Sequence, residues 1–211
     1  VSGKGVSAAM IMATVITMIR STAQSVASPS EILTIVNQEF SRRNVNELFV
    51  TVFLSVLDMH TGELRYANAG HNYPYRNNAT RHWVPFGQEL DLVLGIDEAC
   101  FYREHVTQLV PNESILIYTD GITEAMTSDG ALYGDERLLA ELNENRTIEH
   151  LVEEVAHSVT QFAGTAPQAD DQTLLHIQYV GAPSVFDGPE LSFYFENTIE
   201  SISKLATVLE Q

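Results

Sequence analysis

Hydrophobic and polar positions change period several times along this chain, and each change predicts an element. From Val6 to Arg20 small and apolar residues run nearly all round a helical wheel. That pattern predicts a deeply buried helix, entered through the glycine-punctuated loop Val1-Ser2-Gly3-Lys4-Gly5. Ser28-Pro29-Ser30-Glu31 reads as a second helix start, with Ser28 as cap, proline in the first turn and Glu31 completing a capping box. Ile32, Leu33, Ile35, Val36 and Phe40 then recur at helical spacing as far as Arg42 and Arg43. At Leu48 the period becomes that of a strand. Leu48 to Asp58 is too apolar to have a wet face, His60 to Glu63 turns, and Leu64 to Ala69 returns, which predicts a β-hairpin. A further strand is expected toward Arg76, short apolar stretches around Trp83 and Leu90 to Gly95, and a half-buried strand from Phe101 to Val110.

In the second half, Ser114 leads into Ile115 to Tyr118, a short buried strand that runs straight into Thr119-Asp120-Gly121, a turn signal. Leu138, Leu139 and Leu142 mark an amphipathic helix, and Thr147 caps another that carries Leu151, Val152, Val155, Val159 and Phe162. A loop of small residues from Gly164 to Gln172 delivers Asp170 and Asp171 to a strand from Thr173 to Val180. Residues 182 to 190 read as a linker. Beyond it a strand from Leu191 to Phe195 and a helix from Asn197 to about Leu209 are expected. One strand and one helix cannot close a core, so residues 191 to 211 read as the start of a second domain.

Composition narrows the function classes. The 211 residues fit one full domain, and 28 acidic against 11 basic side chains give a net charge of −17. That balance argues against a nucleic-acid partner and suits divalent cations or a basic protein. The single cysteine, Cys100, allows no internal disulfide and points to a reducing, cytoplasmic setting. The longest apolar run, Ala8 to Ile19, is interrupted by Thr14 and Thr17 and is expected to be too short to span a bilayer. Met10, Met12 and Met18 read as core filling, and Arg20, Arg42 and Arg43 as solvated helix ends. None of the seven histidines pairs at zinc spacing, and His71 beside Asn72-Tyr73-Pro74 reads as fixing its loop by hydrogen bonds.

Two places carry candidate chemistry. Asp120 stands at the mouth of a buried strand, where a rigidly held carboxylate suits a hard cation, although Asp before Gly is also a common turn pair. Asp170 and Asp171 arrive at a second strand edge. Adjacent residues on a strand face opposite ways, so one of the pair is expected toward Asp120. Surface acids on a solvated loop are the plain alternative.

Val1-Ser-Gly-Lys-Gly, Leu48-Phe-Val-Thr51, Ala69-Gly-His-Asn72, Tyr118-Thr-Asp-Gly-Ile-Thr-Glu-Ala125 and Asp170-Asp-Gln-Thr-Leu174 occur in this order. Together they resemble the sporulation-type and stress-response branch of the metal-dependent PP2C serine/threonine phosphatases, over residues 1 to 181. The resemblance implies an α+β fold, an αββα sandwich of two antiparallel sheets that is N-terminally incomplete in this sequence. It implies two Mn2+ or Mg2+ ions with Asp120 and Asp170 as ligands and the Val1 backbone carbonyl as another. Asp171 and Gly121 would stand just behind them. An Asp expected immediately ahead of Val1 would bridge both ions. The residues after Leu191 resemble the opening of an ATP-binding anti-sigma-factor kinase domain.

The function implied is dephosphorylation of a small phosphoprotein, an anti-sigma-factor antagonist of the STAS type, by metal-activated water. The alternatives are a catalytically inactive interaction module in a partner-switching system and, resting on the tail alone, a nucleotide-binding kinase. An upstream sensory domain is expected to act through the helices Val6 to Gln24 and Pro29 to Arg42, which resemble a movable switch in this branch. A homodimer is compatible with this reading. So is a location as the cytoplasmic part of a larger membrane-associated sensor.

Overall fold

The structure, a computed structural model, describes residues 1–3, 5–44, 48–78, 82–87, 89–144 and 150–182. The expected cap at Thr147, most of the linker (from 183 on) and the strand and helix after Leu191 lie outside them. Two compact units divide the chain, one from Val1–His71 with Gln88–Leu109, the other from Asn72–Gly87 with the chain from Val110 onward.

In the first unit α1 (Val6–Ala23) and α2 (Pro29–Arg43) accompany a three-stranded antiparallel sheet in the order β1-β2-β5. Its strands are β1 (Val52–Leu57), β2 (Glu63–Ala69) and β5 (His105–Gln108). The hairpin forms as expected, with Val52 opposite Ala69 and Leu57 opposite Leu64. Asp58 closes its turn by accepting from the backbone N–H groups of His60 at 2.8 Å and Thr61 at 3.0 Å. Those bonds, Thr61 first, hold its carboxyl below the ordinary Asp range. α2 starts as its sequence predicts, the Glu31 N–H donating to Ser28 Oγ at 3.3 Å. Ile32, Leu33, Val36 and Phe40 bury the inner face of α2 in one core with Ala67 and Ala69, small residues that let the helix lie close to the strand.

Four expectations for this unit need correcting. α1 is not deeply buried: of its residues Val15 alone is fully covered, while Val6 is 76% and Met10 66% exposed. A single seam of Ile11, Val15, Met18 and Ile19 packs into the core that α2 shares. Thr14 and Thr17 hide their polarity by donating to the Met10 and Ala13 carbonyls, at 2.8 and 2.7 Å, so the helix is apolar all round without being buried all round. At 18 residues α1 is also long and apolar enough to cross a membrane, contrary to the expectation for its run. Lastly, β1 is half exposed along its length because it lies at the edge of its sheet, and only four residues of the predicted Phe101–Val110 strand pair at all.

In the second unit the sheet runs β4-β3-β6-β7, all antiparallel. It comprises β3 (Tyr75–Asn77), β4 (Trp83–Pro85), β6 (Glu113–Tyr118) and β7 (Leu174–Tyr179). α4 (Gly134–Asn143) and α5 (Leu151–Ala163) complete its core, α5 through Leu151, Val152, Val155, Ala156 and Val159 at helical spacing against Tyr75, Leu116, Tyr118 and Leu174. Glu113 is buried at the start of β6, where it accepts from Arg76 and from the Val110 N–H. Two antiparallel sheets with helices make the fold α+β, as expected.

His176 on β7 is 6% exposed and tilted against Trp83, and its Nε2 has no hydrogen-bond partner among the described residues. Burial pushes its pKa down to about 4. The folded state therefore refuses a proton that the unfolded chain accepts below about pH 6.5. Stability is expected to be full above that pH and to fall by about 3 kcal/mol as pH drops toward 4. Urea melts between pH 4 and 7 check this, and His176→Leu should remove that part of the slope.

Candidate active site

β6 and β7 are antiparallel neighbours, with Tyr118 opposite Leu174, so the end of β6 and the start of β7 share one end of the sheet. Asp120 leaves β6 there, and Asp170 and Asp171 lead into β7 there. Fifty residues of sequence separate the carboxylates; strand register brings their loops side by side.

Thr119 joins those loops. Its N–H donates to the Thr173 carbonyl at 3.1 Å, and its hydroxyl accepts from the Thr173 N–H at 2.9 Å while donating to the Asp171 carbonyl at 3.0 Å. Gly121 brings the backbones closer still. A Cβ there would overlap the Asp171 carbonyl oxygen and stand 2.9 Å from its carbon, so this residue is glycine for lack of space. Thr119 was expected only as part of a turn, and its bridging role is the feature that sequence reasoning misses. A hydroxyl residue directly before Asp-Gly is the only signal of it.

The local conformations differ from expectation. Asp120 does not make a β-turn but begins a one-turn helix, α3 (Asp120–Thr123), its carbonyl accepting from the Glu124 N–H at 2.7 Å. Asp170 and Asp171 lie in the bend before β7 rather than on the strand, so strand alternation does not orient them. Asp170 Oδ1 instead accepts from the Asp171 N–H at 2.9 Å, and the Asp170 carbonyl accepts from Gln168 Nε2 at 2.8 Å. All three carboxylates are exposed. Tyr118, stacked on Tyr75, donates its hydroxyl to Asp135 Oδ1 at 2.8 Å and so anchors the strand end two residues before Asp120. Burial, first, and the Asp135 carboxylate raise the Tyr118 phenol well above its ordinary value, so it stays protonated and donating.

Val1 belongs to the first unit, where the next residue, Ser2, is tied to Phe49 by two 2.8 Å hydrogen bonds. His71, also there, is bracketed by Asn68, whose side chain accepts from the His71 N–H at 2.8 Å and donates to its carbonyl at 2.9 Å. The side chain that fixes this loop is that of Asn68, acting on the His71 backbone.

Exposed carboxylate oxygens on a braced backbone are the donor type that Mg2+ and Mn2+ take. Their number is smaller than a complete shell. Among the described residues no three His, Cys, Asp or Glu side chains converge into a set that could hold an ion. The site fits a hard cation in kind and offers it part of its ligands.

The family model for stage II sporulation protein E, SpoIIE, matches residues 1–180. This chain belongs to the SpoIIE family. Phosphoserine phosphatase RsbU of Bacillus subtilis is 29% identical over 136 residues, which is 63% of this chain and 39% of RsbU. Among solved structures, the SiaA-PP2C domain of Pseudomonas aeruginosa shares the fold with a TM-score of 0.71 at 20% identity, over 84% of this chain and 71% of that one. The RsbU and RsbW domains of Rv1364c from Mycobacterium tuberculosis match with a TM-score of 0.68 at 26% identity, over 87% of this chain and 51% of that one. The chain thus spans well under half of its curated relative and about half of the Rv1364c structure.

Proposed function

We propose that this SpoIIE-family chain is the metal-dependent catalytic part of a protein serine/threonine phosphatase acting on a small regulatory phosphoprotein, an anti-sigma-factor antagonist. The observation that carries the reading is the joining of the Asp120 and Asp170 loops at one sheet end by Thr119 and Gly121. Family membership and the likeness to a phosphoserine phosphatase support it. Asp120 and Asp170 would supply carboxylate ligands to Mn2+ or Mg2+. When bound, such ions lower the pKa of a water and offset charge on phosphoryl oxygens. The chain's own contribution is positional. Thr119 keeps the loops in register, Gly121 lets them touch, and Tyr118 with Asp135 holds the strand end from which Asp120 projects. Asp171 stands beside Asp170, adding negative charge that favours a cation over an anion.

A second reading is an interaction module that binds the same phosphoprotein without turnover. One experiment separates the two. The full-length protein, stripped with EDTA and resupplied with Mn2+, is expected to release inorganic phosphate from a phosphoserine protein. No release with Mn2+ in excess would leave the binding module standing.

A further inference from the structure

After α3 the chain makes a small hairpin. Met126 and Leu132 face each other in an antiparallel bridge, flanked by the Thr127 N–H to Ala131 carbonyl bond at 3.0 Å and the Tyr133 N–H to Ala125 carbonyl bond at 2.8 Å. That pattern makes them a non-hydrogen-bonded pair, the kind whose side chains stand closest on one face of the ribbon. Both are apolar, yet Met126 is 42% and Leu132 55% exposed.

The hairpin is hydrogen-bonded at its tip and packed at its base. Thr127 Oγ1 accepts from the Ala131 N–H at 3.0 Å, and the Gly130 N–H donates to the Thr127 carbonyl at 3.0 Å. At the base Ala125 and Tyr133 are buried in the core, and Tyr133 reaches Ser158 Oγ at 3.0 Å. Both ends of the hairpin are tied to the Asp120 turn: Ala125 comes two residues after the end of α3, and Asp135, two residues past Tyr133, binds Tyr118. The sequence that carries it is acidic. From Thr119 to Glu136 there are five carboxylates, Asp120, Glu124, Asp129, Asp135 and Glu136, and no Lys, Arg or His. The next residue, Arg137, spends its guanidinium on the Phe162 ring, 4.2 Å from the centroid, and on the Leu132 and Tyr133 carbonyls.

We infer that Met126 and Leu132 form a docking ridge for the phosphoprotein, gripping an apolar side chain near its phosphoserine, with Lys or Arg residues of the same segment against the acidic rim. This inference rests on the phosphatase reading for the phosphoserine and on the hairpin for the contact. A preformed pair of apolar side chains loses little freedom on binding, and an acidic rim selects basic flanks.

The test uses the full-length protein and fluorescent phosphoserine peptides with one neighbouring Leu and flanking Lys or, as control, flanking Glu. Binding is read by anisotropy, and Mn2+-dependent p-nitrophenyl phosphate hydrolysis is read in parallel. M126S/L132S should raise the Kd of the Lys-flanked peptide tenfold or more and leave hydrolysis of the small ester within twofold. The swap M126L/L132M should keep peptide binding within threefold, and the Glu-flanked peptide should bind at least tenfold more weakly to the unaltered protein. A Kd change below twofold in the double serine variant, or an equal fall in small-ester hydrolysis, overturns the docking ridge. Weakened peptide binding in a protein that hydrolyses neither substrate overturns the phosphatase reading and keeps the ridge.

Discussion

Asp120→Ala is expected to abolish Mn2+-dependent phosphate release while leaving the fold intact. Removing a partner behind a metal ligand typically costs 10–100-fold, and removing the ligand itself should cost more, on the order of 10³-fold in kcat/KM. Stability should hardly change. Asp120 is exposed, and a surface substitution away from special features stays within about 0.5 kcal/mol. A ligand that binds only the folded state raises Tm, so Mn2+ should stabilise the unaltered protein measurably more than the variant. Differential scanning fluorimetry with and without Mn2+, beside phosphate release, reads both effects. An equal Mn2+ shift in the two proteins would remove Asp120 from the ligand set.

Gly121→Ala should be the most damaging single methyl in the second unit. In an exposed helix, alanine would be favoured over glycine by about 1 kcal/mol. Here the added carbon meets backbone, the Asp171 carbonyl, which cannot rotate away as a side-chain tip would. Overpacking of this kind costs about 1–3 kcal/mol, and a loss near 2 would lower Tm by roughly 4–8 °C in a chain of this size. Because the clash pushes the Asp170–Asp171 loop from the Asp120 turn, the Mn2+-induced rise in Tm should also shrink. A variant as stable as the parent, with the same Mn2+ shift, would mean that the two loops do not need this contact.

Much of the local structure is legible in the residues alone. Ser28 with Glu31 marks the start of α2, the alternation around Thr61-Gly62 marks the hairpin, and the stripe from Leu151 to Val159 marks the buried face of α5. In each case the cause lies within a few residues: a hydroxyl that caps a free N–H, a turn pair, an apolar period. Burial of α1 is misread for the same reason. A run apolar on every side predicts burial on every side, but nothing local says how much of the helix other elements cover, and only its Val15 seam is closed.

The candidate site divides along this line. Sequence by itself determines that Asp120 follows a buried strand, that Asp170 and Asp171 precede another, and that the chain carries the ordered motifs of its family. Only the tertiary structure decides that the loops carrying these carboxylates meet. The pairing of Tyr118 with Leu174 sets a register that no local pattern encodes, the Thr119 hydroxyl bridges two loops, and Gly121 leaves room for one carbonyl. Contacts between residues fifty apart depend on which strands become neighbours, and that choice is made by the whole core.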